Sequence, residues 1–243
     1  AFITAFVAQT NSRLLLDFLN RRGQEPIRPA VEGRIRVWFN EDLESRNFIV
    51  PGIIAVIIMI VGALLTSMVI AREYENGTME TIRSLPVRAG EFFLGKAIPY
   101  FGITLVDVLV AILMGQLLFG VVMKASFWLM ILASTVYILV ALGIGLLISV
   151  KTQSQLVANQ VAVLVTYLPS LLLSDFVFPQ QNMPTVLKAI SRLVPATYYI
   201  DILNGLYLRN LSFAPLWPSF LMLALMAGLM AALTIRALQR EGL

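Results

Sequence analysis

Five blocks of about twenty mostly apolar residues run through this chain, each the length a helix needs to cross a bilayer core. A helix rises about 1.5 Å per residue, so such a block covers the ~30 Å of hydrocarbon. Apolar residues make up 58% of the sequence and charged residues only 13%, too lopsided for one water-soluble core of this length. The blocks are predicted at Phe48–Ala71, Ala97–Val122 (interrupted by Pro99 and Asp107), Phe127–Val150, Leu156–Leu173 and Pro215–Ile235.

The sequence before the first block is different in kind. A helix carrying Leu14, Leu15, Leu16, Phe18 and Leu19 is predicted to end near Arg22-Gly23. The alternating basic and apolar stretch at 33–39 suits a half-exposed strand. Residues 1–47 therefore read as the C-terminal part of an extracytoplasmic α/β domain, and 48–243 as the membrane domain.

Lysine and arginine near span ends set orientation. Arg72, Arg83, Arg88, Lys96, Lys151, Arg236 and Arg240 group on one side, against Lys124, Lys188, Arg192 and Arg209 on the other. The first group is assigned to the cytoplasm, with the C-terminus. Tyr198, Tyr199, Tyr207 and Trp217 then fall where an outer aromatic belt is expected. Span parity puts the N-terminal piece outside, which calls for a sixth, upstream span to carry it across. The net charge of +4 does not point to nucleic acid, because the basic residues flank apolar spans instead of forming an aromatic-interleaved stripe. With no cysteine and no histidine, thiolate chemistry, histidine bases and the usual zinc sites are excluded. No catalytic or metal-ligating residues are assigned.

The polar stretch 72–96 after the first span reads as a short helix at the membrane surface. Asn76-Gly77-Thr78 supplies turn and cap chemistry, Glu80 lies in the first turn, Met79, Ile82 and Leu85 share a face, and Pro86 ends it. Glu73, Glu75, Glu80 and Glu91 with Arg72, Arg83, Arg88 and Lys96 surround that apolar stripe, a pattern suited to docking a partner protein. The run Gly90 to Lys96 nearly spells a phosphate-binding loop but is rejected: Ala97 stands where a Mg²⁺-holding hydroxyl is required.

Arg72-Glu73, Gly77-Thr78, Glu80, Pro86 and Gly95-Lys96 resemble the first cytoplasmic loop of type-2 ABC exporter permeases, the bacterial drug-export-like group. A second stretch is similar to the external segment before that family's last span: Phe176-x-x-Pro179, Asn182-Met183-Pro184 and Pro195-Ala196-x-Tyr198. The Lys151–Gln155 turn resembles the second cytoplasmic loop. One departure is Asp175, where such proteins usually carry glycine, which bears on the local backbone turn.

The resemblance implies an all-α polytopic inner-membrane permease: five transmembrane helices in this chain, six in the intact subunit, and the α/β remnant outside. It implies a coupling loop at 72–96 docking a cytoplasmic ATP-binding-cassette ATPase, and an external helical connection at 174–214. It further implies a second permease subunit, in a homodimer or heterodimer, contact with membrane lipid, and leaves a periplasmic adaptor protein open. No cofactor is expected on this chain, ATP and Mg²⁺ being held by the partner ATPase.

Asp107 is the one ionisable residue deep inside a span, expected to face protein or water because a central carboxylate costs roughly 2.5–3.5 kcal/mol in lipid. It serves as a cavity or coupling residue, or as a structural partner of a neighbouring helix. Asn159, Gln160, Thr166, Tyr167 and Ser170 read as one polar stripe on the fourth span, for helix contact or a translocation path. The alternative function is an ion-coupled secondary transporter using Asp107, although one acid is few for that mechanism. Small pairs Ala141/Gly145, Ala227/Ala231 and Gly228/Ala232 are expected at close helix crossings.

Overall fold

A computed structural model describes residues 46–120, 125–178 and 183–242, with Asn11 apart. The chain divides into two compact units, residues 1–38 and 39–243. The helix expected up to Gly23 and the strand expected at 33–39 lie outside the described residues, as do Lys124, Pro179 and Asn182. Among the described residues there is no strand, and the second unit is all helical.

Its long helices are α1 (Arg46–Glu75), α3 (Ala89–Phe119), α4 (Phe127–Thr152) and α9 (Phe213–Arg240). A fourth crossing is assembled from α5 (Gln155–Ala162), a π-helical turn (Val163–Tyr167) and α6 (Leu168–Leu172), and completes a set of five membrane-length segments. Short helices α2 (Thr78–Ser84), α7 (Thr185–Ser191) and α8 (Pro195–Tyr207) fill the connections.

The structure moves several expected boundaries. The second span starts at Ala89, not Ala97, so 89–96 is helix and not loop. Ala89, Phe92 and Ala97 bury one face while Glu91 and Leu94 point out, so the helical period continues beneath a polar sequence. The backbone N–H of Arg88 donates to Glu91 Oε2 at 3.0 Å and starts the helix. Pro99 does not interrupt α3. The carbonyl it leaves without a donor is that of Gly95, exposed at the helix end. Pro169, lacking an N–H, does have a consequence: the turn before it widens to π geometry, and Thr166 donates its hydroxyl to the Ala162 carbonyl at 2.7 Å.

Helices α1 and α4 form the centre, with α3, α5–α6, α8 and α9 around them. Lipid supplies no water, so buried polar groups must find partners within the bundle. Thr66 donates to the carbonyls of Gly62 (2.9 Å) and Leu142 (3.2 Å). The Ser149 hydroxyl oxygen accepts from the N–H groups of Ile70 (2.9 Å) and Ala71 (2.8 Å). Close approach of α1 and α4 requires Gly145, where an added Cβ would lie 2.4 Å from the Ala63 carbonyl oxygen. The Ala141/Gly145 pair thus marks a crossing as expected. Gly143 of α4 lies against Met230, next to Ala231 of α9. Gly228 meets nothing within 4 Å and Ala232 is exposed, so that pair marks no crossing here.

Two tyrosines assigned to an outer belt are core residues instead. Tyr199 is fully buried and stacks on Tyr137, ring centroids 4.1 Å apart, with its hydroxyl 2.8 Å from Ser134. Tyr137 donates to the Ala55 carbonyl at 3.0 Å. Tyr207 is buried too, so the connection at 174–214 contributes α8 to the core. Trp217 stays exposed, and the half-buried Tyr198 donates to the Arg192 carbonyl at 2.8 Å. Asp175 takes φ 70°, the left-handed conformation that glycine adopts freely.

Candidate functional site

The residues of the loop motif gather at one end of the bundle. Gly77, at φ 72°, reverses the chain after α1 and caps α2. The Thr78 hydroxyl donates to the Glu73 carboxylate and, at 3.2 Å, to the Glu73 carbonyl. The other Glu73 oxygen receives Lys96 Nζ at 2.5 Å from α3. The motif pairs Arg72-Glu73, Gly77-Thr78 and Gly95-Lys96 are therefore parts of one clasp, in which a carboxylate on α1 holds both α2 and α3.

Two further chain segments close on this clasp. Glu75 accepts from the backbone N–H (2.8 Å) and side-chain amide (2.6 Å) of Gln155, while Arg72 Nε donates to Gln155 Oε1 at 3.3 Å. The Lys151–Gln155 turn is thereby fixed to the end of α1, with Gln153 left-handed at φ 54°. Near the C-terminus, Glu241 accepts from Arg83 (3.2 Å), Tyr74 (3.4 Å) and Gln153 (3.3 Å). Sequence reading placed Gln155 in a loop-like turn without assigning it a contact, and missed Glu241, whose one signal is its position just beyond a span end.

The surface that α2 offers is not the one its apolar stripe suggested. Met79 is buried in one cluster with Ile70, Phe92, Leu146 and Leu238, and Ile82 packs half-buried against that cluster. Neither is free to fill a groove on a partner; they hold α2 to the bundle. Glu73 is likewise engaged within the chain. The exposed side chains are Thr78, Glu80, Thr81, Arg83, Ser84, Leu85 and Pro86, with Leu85 51% exposed. Gly90 to Lys96 lies in the first two turns of α3, with no phosphate-cradling loop.

Within the membrane segments the expected polar stripe divides in two. Thr166 and Ser170 are buried in line with Ala158 and Ala162, and Ser174 donates its hydroxyl to the Ser170 carbonyl. Asn159, Gln160 and Tyr167 are exposed on the outward side. Asp107 is exposed on α3, on a face otherwise made of Ile103, Val106, Val110 and Leu113, with no hydrogen bond or ion pair among the described residues. An apolar cavity of about 440 Å³ lies between α1, α4, α5–α6, α9 and the α7–α8 turn, with Thr166 and Ser170 on its wall.

A helical bundle with five membrane-length segments and a clasped surface helix between the first two is a multi-pass membrane protein. It belongs to the ABC-2 transporter family, whose model, described as ABC-2 family transporter protein, matches residues 9–236. Escherichia coli (strain K12) proteins are similar to it. The probable multidrug ABC transporter permease YbhS is 38% identical over 182 residues, 75% of this chain and 48% of that protein. The probable multidrug ABC transporter permease YbhR is 31% identical over 185 residues, 76% and 50% of the two chains. The inner membrane transport permease YhhJ is 28% identical over 204 residues, 82% and 54%. The chain spans about half the length of these curated relatives.

Proposed function

We propose that this chain is the membrane-spanning part of an ABC exporter permease, driven by ATP hydrolysed on a separate cytoplasmic subunit. The clasp carries this reading: it joins α1, α2 and α3 through the residues that resemble the family's coupling loop. A push on α2 is then delivered to two membrane helices at once. ATP and its Mg²⁺ belong to the partner, and the chain performs no chemical step. The clasped end is cytoplasmic, as is the C-terminus, and the membrane is the bacterial inner membrane.

A second permease subunit completes the transporter. Asp107 on α3 and Asn159, Gln160 and Tyr167 on α5 and its π turn put polar groups on exposed membrane faces, where a carboxylate in lipid is costly. A facing subunit relieves that cost, and the translocation path runs between the two. Two relatives are named as probable multidrug permeases, and the mainly apolar helix faces suit amphipathic cargo.

The ATPase contacts α2 through Glu80, Leu85 and Pro86. Leu85→Asp places a charge at the centre of that patch without touching the buried Met79 anchor. It is expected to lower co-purification of the ATPase and stimulated hydrolysis at least about tenfold, as for an anchor side chain. Wild-type stimulation in a well-inserted Leu85→Asp permease contradicts docking at α2.

A further inference from the structure

The loop-side ends of α4 and α9 frame a groove of about 300 Å³ whose walls carry Lys151, Arg236 and Arg240 over a floor of Leu147, Leu233 and Ala237. Arg236 and Arg240 lie four residues apart, on one face of α9. None of the three cations has a hydrogen bond or ion pair among the described residues. The nearest acid in sequence, Glu241, is occupied by Tyr74, Arg83 and Gln153. The walls are fixed: Thr234 donates to the Gly143 carbonyl at 3.3 Å, and Gly143 packs on Met230. Leu147 also lines the apolar cavity of about 440 Å³, so positive charge and an apolar recess meet at one side chain.

We propose that this groove binds an anionic phospholipid, its phosphate held by Lys151, Arg236 and Arg240 and one acyl chain passing over Leu147 into the apolar cavity. Basic residues at span ends commonly snorkel toward headgroups in general. What differs here is convergence: three cations without a partner among the described residues line one concavity that shares Leu147 with an apolar recess. Basic pockets of this kind between membrane helices hold acidic headgroups. The binding depends on membrane placement alone and holds whether or not the protein exports.

Native mass spectrometry of the full-length permease in detergent tests it, with palmitoyl-oleoyl phosphatidylglycerol, the matching phosphatidylcholine and inorganic phosphate as probes. The wild type is expected to retain the anionic lipid about tenfold more tightly than phosphatidylcholine. Arg236→Gln with Arg240→Gln lowers that preference to the phosphatidylcholine level. Arg236→Lys with Arg240→Lys keeps it, which separates charge from shape and from folding. Lys188→Gln, on the far connection, leaves it unchanged. Equal retention of the two lipids by wild type overturns the proposal, as does a preference that survives the double glutamine variant. Displacement of the lipid by equimolar phosphate also overturns it, leaving a free-anion site. A double glutamine variant that keeps its lipid but loses the ATPase subunit assigns the groove to a protein partner and overturns it as well.

Discussion

Gly145 and Asp175 show how single positions hold this bundle. A methyl group at Gly145 runs into Thr66 and the α1 backbone at Ala63, and neither can move as a flexible side chain would. Gly145→Ala is expected to cost about 3 kcal/mol, near the upper end for overpacking, read from denaturant unfolding in mixed micelles. At Asp175 the left-handed backbone penalises branched residues most. Asp175→Val is expected to cost about 1–2 kcal/mol in the same measurement. The first position was legible as half of a small pair at four-residue spacing, and the second as a departure from a glycine turn. The facing of Asn159, Gln160, Thr166, Tyr167 and Ser170 was not legible. Lipid is as apolar as a helix interface, so a membrane helix shows little periodic contrast between its faces. Tyr199 was misplaced for a related reason: an aromatic near a span end suits a headgroup belt and a buried stack equally until Tyr137 and Ser134 are seen beside it.

At the level of elements, the spans were readable because each is a long apolar run, and their ends were not. α3 begins inside a charged stretch whose apolar residues keep the helical period, and composition alone hides that. The π turn left one trace in the sequence, Pro169. Helix α2 was anticipated, but its apolar face proved to be the anchor and its polar rim the exposed surface. It is held by Met79 beneath and by the Arg83–Glu241 pair at its end. That pair is about one third exposed, worth ~0–1 kcal/mol, so it tunes the position of α2 and does not fold it. Arg83→Glu is expected to lower ATPase stimulation by about two- to fivefold with little change in stability. Arg83→Glu combined with Glu241→Arg restores it if the pair acts through its charges. Equal loss in the single and double variants would point to direct contact of Arg83 with the ATPase instead.

For the whole molecule, the two inner helices α1 and α4 are tied by buried hydroxyls, while α3, α5–α6 and α9 present broad apolar faces. The clasped end joins the loop after α1, the turn after α4 and Glu241 beyond α9 by hydrogen bonds. The ATP-driven reading proposed above differs from that of an ion-coupled carrier, which would need Asp107 to exchange protons during the cycle. The direct measurement is export into sealed vesicles holding the full-length permease and its ATPase, driven in turn by ATP and by an imposed pH gradient. Wild type and Asp107→Asn are compared. Transport is expected to require ATP and the ATPase subunit, to ignore the pH gradient, and to persist at reduced rate in Asp107→Asn. Transport that proceeds without nucleotide, follows the pH gradient and stops in Asp107→Asn would contradict it.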